Sequence, residues 1–136
     1  MRRTVVLLTF LALTLAACNL QQGPPAPVPT PDAPRVEFRF PPNNTTILEG
    51  SELTIELLAV DSGSGVARAA LLVDDTIHQE GKPTNFTAVP TFTVTMNWLA
   101  QGLGRHSLAA VAYRVDGTAS PITTIIIEVL PKTGGT

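Results

Sequence analysis

A chain of 136 residues with one cysteine, Cys18, has room for a single core and excludes an internal disulfide. Hydrophobic residues make up 44% of it and charged residues 15%, the first figure being raised by an apolar N-terminal run. From Cys18 onward, seven Lys and Arg stand against eleven Asp and Glu, a formal charge of −4, which is not the profile of a nucleic-acid-binding protein with its basic patch or stripe.

Met1-Arg2-Arg3 supplies a positive n-region, and Val5 to Leu15 follow as eleven largely apolar residues, too short for a comfortable membrane span. Leu15-Ala16-Ala17 then places small side chains before Cys18, the pattern of a cleaved export signal over residues 1–17. The run Leu15-Ala16-Ala17-Cys18 resembles the lipobox of bacterial lipoproteins. The resemblance implies that Cys18 becomes the mature N-terminus and carries a thioether-linked diacylglycerol. Its acyl chains, palmitate-like in length, would hold the protein to a membrane. Several buried acyl chains at about 0.8 kcal/mol per CH₂ give durable attachment where one short chain gives only reversible binding. The expected location is therefore the cell membrane or outer membrane, on the extracytoplasmic side. Asn19, unlike the aspartate that retains some such proteins at the inner membrane, tips the expectation outward.

Residues 18–34 are read as the lipidated cysteine and a linker. LQQGPPAPVPTPDAP holds six prolines, which no helix or central strand tolerates. At about 3.1 Å per residue in polyproline II, these fifteen residues span on the order of 45 Å.

From Arg35 to Leu130 the pattern changes to short alternating apolar runs separated by turn signals, with no helical period. This predicts an all-β sandwich of about seven strands, immunoglobulin-like in size. The strands are placed at about 35–40, 51–61, 66–74, 76–80, 91–98, 105–115 and 121–130. PPNN, DSGSG, EGKPTN, QGLG and VDGTASP supply the Gly, Pro, Asn and Asp that reversals need. Because neighbouring strand residues point to opposite faces, the predicted interior is Val36, Phe38, Phe40, Leu53, Ile55, Leu57, Ala59, Val66, Ala69, Leu71, Val73, Phe92, Val94, Met96, Trp98, Leu108, Ala110, Ala112, Ile125, Ile127 and Val129. Val66 and Ala69 cannot both face inward under strict alternation, so a bulge near Ala67 and Arg68 is expected. Residues 131–136 are read as a flexible tail. Where the domain meets the tail, Leu130-Pro131-Lys132-Thr133-Gly134 resembles a sortase-sorting signature without the apolar span and basic tail that accompany one.

PPNNTTILEGSELTIELLAVDSGSGVARAALLVDD, followed by Trp98, Gly104 to Leu108 and Asp116-Gly117, is similar to bacterial Ig-like domains over nearly all of residues 35–130. That resemblance implies a non-catalytic surface module with a structural or adhesive role.

Two histidines, no cysteine left free after acylation and no GxSxG run argue against an enzyme and against a cofactor. His78 and His106 are read as turn or surface residues and Asp74-Asp75 as turn formers. Asp61, Asp74, Asp75 and Asp116 offer oxygen ligands for calcium, but beside glycines they read first as turn residues, so no metal is expected. Phe86 and Tyr113 are the two aromatics open to stacking on a sugar, which leaves a carbohydrate- or small-ligand-binding lipoprotein as the alternative. The same parity places Ala70, Leu72, Ala109, Val111, Tyr113 and Ile126 away from the core as one apolar strip, a candidate contact face for a protein partner or a second copy. The expected partners are thus the membrane, through Cys18, and a protein, with no nucleic acid.

Overall fold

The structure, a computed structural model, describes residues 32–133. The expected export signal, Cys18, the expected linker up to Pro31 and the expected tail from Gly134 lie outside the described residues.

Eight strands run in chain order: β1 Arg35–Phe40, β2 Thr45–Leu48, β3 Glu52–Val60, β4 Arg68–Val73, β5 Thr76–Gly81, β6 Thr91–Leu99, β7 Gly104–Tyr113 and β8 Thr123–Leu130. They form a three-stranded sheet, β1-β3-β6, and a five-stranded sheet, β2-β8-β7-β4-β5. The predicted all-β sandwich is what forms, with one strand more than the alternation suggested. The extra strand, β2, pairs in parallel with β8, Thr45 opposite Ile127 through Leu48 opposite Leu130. Four residues beside a proline turn carry too little pattern to announce a strand, and the partner that makes β2 one lies some eighty residues away.

Alternation is faithful in β3, where Leu53, Ile55, Leu57 and Ala59 are buried and pair through β6 with Trp98, Met96, Val94 and Phe92. With Val36, Val66, Leu71, Leu108, Ala110, Ala112, Ile125, Ile127 and Val129 they close one core between the sheets. Burial of a Leu, Ile or Val side chain contributes roughly 1.5–3 kcal/mol, so this set carries most of the fold's stability. Phe38, Val73, Phe92 and Val94 pack on the core's rim.

Phe40 departs from the expected interior and is 49% exposed. The β1–β3 register shifts between Phe38 and Phe40, so parity fails at the strand's last residue. Near Ala67 the structure has no bulge. Instead Val66 stands outside β4, bridged to Val89 by main-chain bonds of 2.7 and 3.0 Å, and β4 restarts the alternation at Arg68. Asp74 and Asp75 alone join β4 to β5, both at positive φ (47° and 65°), as a two-residue hairpin of the primed type requires.

Candidate functional site

Three strands were expected to carry the apolar strip, and β4, β7 and β8 do lie side by side. Ala70 sits opposite Val111 and Leu72 opposite Ala109, while Ile126 sits opposite Ser107. The strip is less accessible than expected. Ala70, Ala109 and Val111 are buried, at 0%, 6% and 5% exposure, although they stand outside the core between the sheets. Ala70 lies between Val111 and Glu80, and Ala109 between Leu72 and Thr124, so a short side chain with a strand on either side exposes little even where it faces outward. Leu72, Tyr113 and Ile126 are half-buried and remain accessible. The face gains apolar members at its margins: Ile77 of β5 beside Leu72, and the pair Leu48 and Leu130 where β2 meets β8.

At the end of the sandwich where β1 begins, Arg114 follows β7 and reaches into the loop between β3 and β4. Its Nε and Nη2 donate to the two oxygens of Asp61 at 2.6 and 2.9 Å. Gly63 N–H also donates to Asp61, at 3.1 Å. The Arg114 hydrogen bonds outweigh burial and hold the Asp61 carboxyl below the usual carboxylate range. Asp32 approaches the same guanidinium at 3.6 Å, passing over Gly63, where a Cβ would lie 2.8 Å from its Oδ2.

The opposite end holds a second cluster. His106 Nδ1 lies 2.7 Å from Asp74 Oδ2 and Nε2 lies 2.8 Å from the Gly102 carbonyl. Acceptors on both ring nitrogens are satisfied together only by the doubly protonated imidazole. The Asp74 hydrogen bond accordingly raises the His106 pKa above its ordinary value. Burial pushes the Asp74 carboxyl up, but its bonds from His106 and from Ser107 N–H prevail and leave it lowered. Trp98 packs at a tilt on the His106 ring, centroids 5.3 Å apart. His78, on β5, contacts the Asn97 carbonyl at 3.0 Å while Gln79 Oε1 accepts Asn97 N–H at 3.3 Å, so two β5 side chains cap the free edge of β6.

Of the acidic residues weighed as calcium ligands, Asp61, Asp74 and Asp116 are engaged by other partners. Asp61 serves Arg114, Asp74 serves His106, and Asp116 accepts the Thr118 N–H at 2.9 Å. No group of three metal-ligating side chains occurs among the described residues. Of the two aromatics, Phe86 is 68% exposed, whereas Tyr113 lies under Arg68, whose guanidinium carbon stands 3.7 Å from the ring centre. Arg68 also pairs with Glu80. Arg68 and Arg114 were not among the residues singled out from the sequence. Arg114 follows a strand and Arg68 begins one, and neither has a motif around it; only the folded pairing reveals their partners.

No protein-family model matches the chain, and no curated protein matches it by sequence. Among solved structures it is similar to the fibronectin(III)-like modules of CbhA from Clostridium thermocellum, with 25% identity and a TM-score of 0.61 over 73% of this chain and 47% of that one. The chain thus spans about half the length of that structure. It is also similar to the CARDB domain of a Pyrococcus furiosus protein, with 11% identity, a TM-score of 0.53, and coverage of 73% and 97%. A variant of the SrpA adhesin from Streptococcus sanguinis aligns with 16% identity, a TM-score of 0.51, and coverage of 74% and 57%. With the strand order above, these likenesses define the chain as an immunoglobulin-like β-sandwich module.

Proposed function

We propose that this protein is a lipid-anchored, non-catalytic module of the cell envelope with a structural or adhesive role, contacting protein through the outer face of β8, β7 and β4. The observation that carries the contact is the cross-strand pair Leu72 and Ile77, the latter 58% exposed, with Ile126 on the same sheet face. Isolated exposed apolar side chains need no explanation, but a connected set on one sheet face does. Cys18 at the end of an export signal supports the anchor.

Sedimentation of the Asp32–Thr136 unit across a concentration series tests the face. Reversible association lost on Leu72→Lys with Ile77→Lys supports a contact with a second copy, and a monomer at every concentration removes that contact. Anchoring is tested separately by fractionation: Cys18→Ser should move the protein from the membrane to the soluble fraction, and retention in the membrane overturns the anchor.

A further inference from the structure

Between the β5–β6 loop, the start of β4 and the end of β7 lies an open depression of about 330 Å³, bordered by Arg68, Lys82, Arg114, Phe86, Thr87 and Val115. Three of the seven basic residues from Cys18 onward line it, in a part of the chain that carries a net charge of −4. Their charges are not all spent alike. Arg114 is committed to Asp61 through Nε and Nη2, with Asp32 at 3.6 Å and Asp116 also near, and Arg68 to Glu80 through Nη1. Lys82 forms no ion pair among the described residues. The cation without an acidic partner is therefore Lys82, beside two guanidinium groups held in place by their acidic partners and, for Arg68, by the Tyr113 ring.

One uncompensated cation matches a single carboxylate rather than a phosphate chain. The volume, near the lower end of ligand pockets, admits a ring or two and not a folded partner. Phe86 presents an exposed apolar surface beside these donors, on a loop held to the sandwich by the Val66–Val89 bridge. A carboxylated sugar ring has the matching chemistry: one charge, hydroxyls at its edge and a C–H face to lie against a phenyl group. We propose that this depression binds the carboxylated ring of an acidic saccharide. Its Arg68 rests on Tyr113 of the outer sheet face, but the residues tested here are not those tested for that face, so the two readings fail separately.

The Asp32–Thr136 unit, which contains every strand and the whole core, can be titrated by amide-shift NMR with trigalacturonate, its fully methyl-esterified counterpart and triglutamate. The expected result is saturable binding of trigalacturonate with shifts centred on residues 82–87. Methyl esterification should weaken it at least tenfold, and Lys82→Gln and Phe86→Ala, both at exposed loop positions, should do so about equally. No saturable binding, or binding indifferent to Phe86→Ala, overturns the proposal. Triglutamate binding as tight as trigalacturonate would overturn it in favour of a carboxylate site with no sugar selectivity.

Discussion

Arg114 reaches 53 residues back along the chain to clasp Asp61 with two parallel hydrogen bonds, of 2.6 and 2.9 Å, at a carboxylate whose side chain is fully buried. This single pair ties the end of β7 to the loop that follows β3. Removing the cation strands a buried charge, the costly way to break such a pair. Arg114→Met should therefore lower the urea midpoint far more than Arg39→Met, whose pair with Glu37 is more than half exposed on both sides. Equilibrium urea unfolding checks this, with an unchanged slope showing that stability alone has moved.

The same pair has a pH dependence. Folding lowers the Asp61 pKa, so its stabilisation is present above the unfolded carboxylate value of about 3.9 and is lost as pH falls through the lower folded value. Acid unfolding of Asp61→Asn should accordingly be flatter than wild type below about pH 4. Parallel midpoints for the two proteins across that range would show that Asp61 is not the group responsible.

At the other end of the sandwich the sign is reversed. His106 has a raised pKa when folded, so the stabilisation from Asp74 is fully present below the unfolded imidazole value of about 6.5 and disappears as pH rises through the folded value. Asp74→Asn keeps a residue that tolerates the positive φ of the hairpin while removing the charge. The His106 ring, followed by proton NMR, should titrate at lower pH in Asp74→Asn than in wild type.

Leu57 and Phe40 make a direct test of register. Leu57 is fully buried, and Leu57→Ala should cost about 2–5 kcal/mol. Phe40, assigned to the interior by alternation but half exposed beyond the register shift, should cost about 1 kcal/mol or less as Phe40→Ala. Equal losses in thermal unfolding would return Phe40 to the core.

Gly81 closes β5 where it passes β6. A Cβ there would lie 2.5 Å from Val94 Cγ2 and 3.3 Å from Met96 Cε. Gly81→Ala should thus destabilise by about 1–3 kcal/mol through overpacking, and Gly81→Ala combined with Val94→Ala should recover part of that loss. Additive losses in the double variant would place the strain elsewhere.

Much of the fold was legible because strand parity is local. Leu53, Ile55, Leu57 and Ala59 declare their face through their own neighbours, and Asp74-Asp75 declares its turn through residue types that accept positive φ. The candidate sites were legible only in part. Parity placed Ala70, Ala109 and Val111 on the outward face but could not reveal that they are buried there. Phe86 was singled out for its exposure, whereas the cations beside it went unnoticed.

By itself, then, the sequence determined an all-β sandwich and most of its inward-facing residues, since each depends on side chains a few positions apart. Only the tertiary structure decided that Thr45–Leu48 is a strand, that Arg114 belongs to Asp61, that His106 belongs to Asp74, and that Arg68, Lys82 and Phe86 share one depression. Those relationships join segments tens of residues apart. Their energy exists only once the sheets have packed, so no local pattern records them.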